Sequence, residues 1–277
     1  MAAMAPMHVG RPVPQPIQHS PPPAAFDHGA QYHRRRLDGN AVELFDRYLA
    51  VIPADSAELL EKVFRLRFQV YCIERGFEDA AAFPDGREQD GDETRSLHSL
   101  LLDRATGSAV GTVRLILPDP ARPLPVFKII GAGRLHDTGL PLATTAEVSR
   151  FAVAKAFRSR LEAGWRGGVG RVAAGCREPA LQLLTFGLIR AIVMMGALGE
   201  VTHVVAMMEP ALRRLLGRLG IAFHPLGGPV QHHGLRQPGW AVLAHLGERV
   251  RHCHPELWEL ATERGKRQPG VAVTAGA

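Results

Sequence analysis

Cysteine is scarce. Cys72, Cys176 and Cys253 are far apart, odd in number and form no CxxC pair. That argues against structural zinc or a disulfide framework and favours a reducing cytoplasm; no metal site is expected. Aromatic residues make up only 6% of the chain, with neither an RNP-type aromatic stripe nor zinc-finger spacing, so nucleic acid is not the expected partner. No apolar run reaches the ~18 residues that would suggest a membrane span. The most apolar segment, LLTFGLIRAIVMMGALG, is interrupted by Arg190 and reads as a buried helix. The first residues lack the charged start, apolar middle and small-residue cleavage site of a secretory signal.

What is present is sufficient for a large core. The 277 residues are 46% hydrophobic, enough for one large α/β domain. Residues 1–39 are rich in Pro, Ala and His, with too few large apolar side chains to offset chain entropy, and are expected to be disordered. The tail over 263–277 reads the same way, leaving 40–262 as the folded domain. The net charge is +6, with arginine clustered at 33–36, 158–160 and 213–214. Such clusters read either as a solvated basic surface or as an attraction for an anionic partner.

Apolar spacing predicts a helix from Asn40 to Leu49, ended by Pro53. A second helix begins near Asp55 or Ser56, both good N-caps, and runs to a stop at Gly76. A carboxylate-rich loop follows, FEDAAAFPDGREQDGDETRS. Residues 97–103 and 109–117 read as a strand hairpin, and 126–130 as a short strand or one helical turn. EVSRFAV is a third strand, followed by a long helix over 179–197 and a strand over 201–208. The segment EPALRRLLGRLG is a helix, and IAFHPLG and 239–246 are late strands. The order implies a mixed sheet with helices on both faces.

One strand poses a question. EVSRFAV carries Glu147, Ser149 and Arg150 within four positions, and charges inside a strand are costly unless paired or used. Strict alternation directs Glu147, Ser149 and Phe151 to one face and Val148, Arg150 and Ala152 to the other.

The element order resembles the GNAT acyltransferase fold, a mixed sheet with a splayed strand pair. The residues narrow the resemblance. RLRFQVYCIERGFE, EQDGDETRSLHSLL, GTVRLIL and EVSRFAV are similar to the branch holding acyl-homoserine-lactone synthases and N-acyl amino acid synthases. The corresponding positions are Arg67, Glu88 with Asp90 and Asp92, Arg114, and Glu147 with Ser149 and Arg150. The block EPALRRLLGRLGIAFHPLGGPVQHHGLRQPGWAVL resembles the PEP-CTERM/exosortase system-associated acyltransferases.

The resemblance implies acyl transfer from an acyl-carrier protein or acyl-CoA to the amine of an amino acid or similar small molecule, with no permanently bound cofactor. It implies catalytic roles for Glu147, Ser149 and Arg150, and substrate contacts from Arg67, Asp90, Asp92 and Arg114. Phe151, Val153, Arg166, Gly168 and Gly170 would meet the pantetheine arm and its phosphate. Glu147 would act as base or bind the ammonium, and Arg150 would pin the acidic loop. Basic residues between Lys155 and Arg171, with Arg213, Arg214 and Arg218, would meet an acidic carrier protein. Two other readings stay open: an acyl-homoserine-lactone synthase and a non-catalytic acyl-thioester-binding module. The histidine pair His232–His233, with Arg236 in a Gly-rich loop, reads either as lining the acceptor or pantetheine entry or as a solvated loop; in the bland reading the charges form an ion-pair scaffold and His98 is a core residue.

Overall fold

A computed structural model describes residues 41–131, 138–159 and 178–262, which form one compact unit. Helix α1 (Ala41–Tyr48) runs without a loop into strand β1 (Leu49–Pro53). The sequence reading carried the helix through Leu49 and missed this strand. Ladder pairing overrides the helical spacing here: β1 pairs antiparallel with β2 (Ser96–Asp103), from Leu49 opposite Asp103 to Pro53 opposite Ser99. Because β1 is at the sheet edge, the N–H that Pro53 lacks costs no ladder bond.

Helix α2 (Ala57–Arg67) starts as expected, with the Ser56 hydroxyl accepting a hydrogen bond from the Leu59 N–H at 3.3 Å. Beyond Arg67 the helix widens to a π-helix over Phe68–Glu74, where the Arg75 N–H donates to the Val70 carbonyl at 3.0 Å. Gly76, at φ +60°, takes the left-handed conformation that ends it.

The hairpin of β2 and β3 (Ala109–Ile116) forms as expected, and the ambiguous 126–130 segment is helical, within α3 (Pro125–Ile130). Then come β4 (Thr145–Val153), α4 (Glu178–Leu198), β5 (His203–Met208) and α5 (Pro210–Arg218). The remaining elements are β6 (His224–Pro225), β7 (Val230–Gln231), β8 (Leu235–Val242), α6 (Leu243–Cys253) and α7 (Pro255–Ala261). The strand expected over 239–246 thus lies earlier, and Leu243 opens a helix. Leu243, Leu246 and Val250 recur at helical spacing and turn the same side inward, which a strand would not allow.

The strand order is β1-β2-β3-β4-β5-β8-β6, with β7 pairing β8. Helix α2 packs on one face and α4 on the other. Neighbouring residues of β2 divide accordingly: Leu100 joins the cluster under α2, and Leu101 the large cluster under α1 and α4. The stretch Leu181–Leu198 of α4 is long and apolar enough to cross a membrane by length and composition, but 72% of it is buried inside the fold.

Two features position the site. Strands β4 and β5 pair in parallel only from Thr145–His203 to Val148–Ala206, although β4 continues to Val153 and β5 to Met208. Beyond Val148 the two strands part. In the same place β4 bulges against β3: Ser149 faces Arg114 and Ala152 faces Thr112, so two residues of β4 oppose Val113.

Close packing of α4 on the sheet is testable at Gly187. A Cβ there would lie 2.8 Å from the Phe45 ring and 2.9 Å from a Leu101 methyl, both fully buried side chains. Gly187→Val should therefore destabilise the fold by about 1–3 kcal/mol through overpacking, read as a lower urea midpoint at unchanged slope.

Candidate active site

The carboxylate loop after α2 folds back over the sheet, and Arg67, Arg114 and Arg150 hold its inward-facing carboxylates there. Glu88 is completely buried. Its carboxylate accepts from Arg67 Nε and, at 2.8 Å, from Arg150 Nη2. Arg150 Nε adds contacts at 3.1 and 3.2 Å. Arg114 Nη1 donates to Asp90 at 2.7 Å and to Glu93 at 3.1 Å, and its Nε donates to the Ser149 hydroxyl at 2.9 Å. Arg150 also reaches Asp90 at 3.3 Å, and its guanidinium lies over the Tyr71 ring, 5.2 Å from the centroid. Arg67 Nη2 is 2.9 Å from Glu93, which also meets His98 at 3.0 Å.

The bulge explains how Ser149 and Arg150 both join this lattice. Strict alternation would have sent them to opposite faces, but Arg150 has φ +51° and turns its side chain to the acidic loop beside Ser149. A non-glycine residue in that conformation costs about 1–2 kcal/mol. The buried pairing with Glu88 offsets it. Pinning of the acidic loop by Arg150 is therefore present, by way of Glu88 and Asp90.

The other named positions sort differently. Arg67 is fully enclosed and braces the loop instead of facing a substrate. Asp92 does not pair with Arg114 or Arg150; its carboxylate takes Arg95 at 2.7 Å and Arg122 at 2.9 Å. Of the two loop aspartates, only Asp90 joins the lattice. Glu93 went unrecognised in the sequence, although it links Arg67, Arg114 and His98. Its position three residues past Asp90, on the same short turn, was the available signal. Arg166, Gly168 and Gly170 lie outside the described residues.

Glu147 stands apart from the lattice. It is 5% exposed, in a central strand and not at a sheet edge, flanked by Ile116 on β3 and Val205 on β5. One oxygen accepts the Val126 N–H at the start of α3, at 2.8 Å. Burial pushes its carboxyl up to about 7, outweighing the Val126 hydrogen bond and the positive charge of Arg114. Glu88 and Asp90 go the other way. Burial raises both, but the guanidinium hydrogen bonds outweigh it and hold them below the usual carboxylate range.

A cavity of about 580 Å³ passes through the gap between β4 and β5. Its polar end holds Glu78, Asp90, Arg114, Glu147 and Arg150, with Tyr71 from the π-helix. Its other arm is apolar and lies between α4, α5, α6 and α7, lined by residues such as Phe186, Ile189, Leu215, Leu246 and Val250. Phe151 and Val153 line it, as expected for the freed stretch of β4. The cavity draws on the cores of both faces, Val70 and Ala152 from the α2 side and Phe186 and Leu215 from the α4 side. The 232–236 loop contributes His232, His233 and Arg236 to the cavity lining, and both histidines are also exposed to solvent. Arg236 holds it there by pairing with Glu209 at 2.9 Å and lying 5.0 Å from the Phe77 ring centre.

Removing the central carboxylate should be costly. Glu88→Gln leaves two buried guanidinium groups facing a neutral amide, and about 3–5 kcal/mol should be lost in urea denaturation. The pH dependence has two opposite parts. Glu88 and Asp90 have depressed native values, so their stabilisation is present above about pH 4.3 and lost as pH falls through the native values. Glu147 has a raised value, so the native state holds a proton that the unfolded chain releases; stability should fall as pH rises from about 4.3 to about 7. Glu147→Gln should flatten that second limb and leave the first in place.

Comparison with known proteins agrees with this architecture. Residues 66–163 match the model of the Acetyltransferase (GNAT) domain. No curated protein matches the sequence. The CoA-dependent acyl-homoserine lactone synthase BjaI is similar in its complex with MTA, at 21% identity and a TM-score of 0.53 over 76% of this chain and 89% of that one. Its complex with SAM and isopentyl-CoA gives 22% and 0.52 over the same shares. The AHL synthase LasI is similar at 18% identity and a TM-score of 0.51, over 75% of this chain and 94% of that one. The chain thus has the GNAT-like α/β fold, and the matched domain supports an acyltransferase.

Proposed function

We propose that the protein is an N-acyltransferase that moves a medium or long acyl chain from a thioester to the amine of an amino acid or similar small molecule. The observation that carries this reading is the single cavity through the β4–β5 gap, with a carboxylate of raised pKa at one end and an apolar arm at the other. The donor is an acyl-carrier protein or acyl-CoA. Its pantetheine arm lies along the part of β4 beyond Val148, where the strand edge facing β5 has no strand partner among the described residues. The acyl chain enters the apolar arm.

The amine approaches from the polar end. Glu147, directly or through a water, takes its proton as the nitrogen attacks the thioester carbonyl. Backbone N–H groups on the freed edge of β4 stabilise the oxyanion. The carbon–sulfur bond then breaks, and the departing thiolate takes up a proton. Arg114 and Arg150 hold an acceptor carboxylate while remaining tied to the acidic loop. Ser149 positions Arg114 through its hydroxyl. The exposed Arg214 and Arg218 of α5 present positive charge on the outside of the apolar arm, where an acidic carrier protein would dock. In this reading the protein works in the cytoplasm, and the resemblance of the C-terminal sequence block to PEP-CTERM/exosortase system-associated acyltransferases supports a role beside such a system.

A second reading is synthesis of an acyl-homoserine lactone, favoured by the named activity of BjaI and LasI. One experiment separates the two. The purified protein is given acyl-carrier-protein and CoA thioesters with a panel of amino acids or with S-adenosylmethionine, and products are identified by mass spectrometry. N-acyl amino acids are expected. Lactones would select the second reading, and thioester binding without any product would leave a non-catalytic binding module. In the productive assay, Glu147→Gln should lower kcat by about 10²–10⁴-fold, and the rise in wild-type rate through about pH 7 should be lost.

A further inference from the structure

We propose that the terminal helix pair α6–α7 is the chain-length ruler of the acyl site and that Trp258 is its end wall. This rests on the reading of the apolar arm as the acyl site. The arm does not end within the sheet core. Its lining includes Leu215 and Leu216 of α5, Leu243, Leu246 and Val250 of α6, and Trp258 and Ala261 of α7, with Thr262 just beyond that helix.

Trp258 differs from the other residues of the arm. Its side chain lines the cavity yet is only half-buried, and the Arg251 guanidinium lies over the ring at 5.1 Å from its centroid. Trp258 thus belongs both to the cavity lining and to the partly exposed surface, with a cation stacked on its ring. The helix backbone that carries the ring is fastened by two hydrogen bonds. Thr262, fully buried, donates its hydroxyl hydrogen to the Trp258 carbonyl at 2.8 Å, and the Trp258 N–H donates to the His254 carbonyl at 3.0 Å. Helix α7 packs against α1, α4 and α6, so the wall stands on a fixed support.

Each methylene of an acyl chain gains contact as it enters the arm. Burying one CH₂ favours binding about fourfold. The gain stops when the chain meets the Trp258 ring, because further carbons must turn back or displace it.

The test is binding of saturated acyl-pantetheine thioesters, lengthened two carbons at a time, to the full chain. Affinity of the wild type should climb to a ceiling length and then level off or fall. Trp258→Ala should bind the shorter chains as the wild type does and move the ceiling to longer ones. Trp258→Phe should keep the original ceiling, and Trp258→Leu, which leaves an apolar side chain in place if the alanine variant fails to fold, should move it. An unchanged ceiling in folded Ala and Leu variants would overturn the ruler while the acyltransferase reading stood. If no thioester of any length bound the wild type, both would fall.

Discussion

The arrangement of the site depends on one buried contact, the carboxylate of Glu88 held between Arg67 and Arg150. It ties the end of α2, the acidic loop and the middle of β4 to one point. Arg150 sits in a left-handed backbone conformation, and the pair with Glu88 compensates for that strain. The resulting bulge in β4 lies directly after the last residue paired with β5. Loop, bulge and strand gap therefore form a connected set, and the gap is what lets a cavity cross the sheet.

On that frame, two kinds of carboxylate are kept at different tasks by their surroundings. Glu88, Asp90 and Glu93 face guanidinium groups and stay ionised, acting as struts. Glu147 is surrounded mainly by apolar strand neighbours and one backbone N–H, and its proton is held to near neutral pH. The separation resembles that of any acid–base site in which environment, not residue type, assigns the role. The polar residues of EVSRFAV are thus accounted for: Arg150 fastens the loop, Ser149 holds Arg114, and Glu147 is left available to the cavity.

Much of this was legible in the sequence, for physical reasons that differ by element. The hairpin, α2 and α5 have periodic apolar patterns with caps or stops, α4 is a long apolar run, and they form where expected. Strand β1 was hidden because five residues following a helix without a turn signal carry no periodicity of their own. The start of α6 was hidden because an apolar run leaving a strand does not show where the period changes from two to 3.6. Within the site, Arg67, Glu88, Asp90, Arg114, Ser149 and Arg150 are brought together; the family resemblance grouped these positions, whereas their spacing alone set Ser149 and Arg150 on opposite faces. The bulge at Arg150 was not readable, since nothing local marks a non-glycine residue for positive φ. Without it, strict alternation misassigned the faces of β4. Asp92 and Glu93 were not separable either, because a dense acidic loop does not reveal which carboxylate turns inward.

A crystal structure with a non-hydrolysable acyl-pantetheine analogue decides whether one cavity through the β4–β5 gap joins a proton acceptor to an acyl site. The carbonyl analogue is expected between β4 and β5 next to Glu147, the pantetheine arm along β4 beyond Val148, and the acyl chain running toward α7. An acyl chain bound outside the apolar arm, or a carbonyl out of reach of Glu147 even through one water, would contradict that connection.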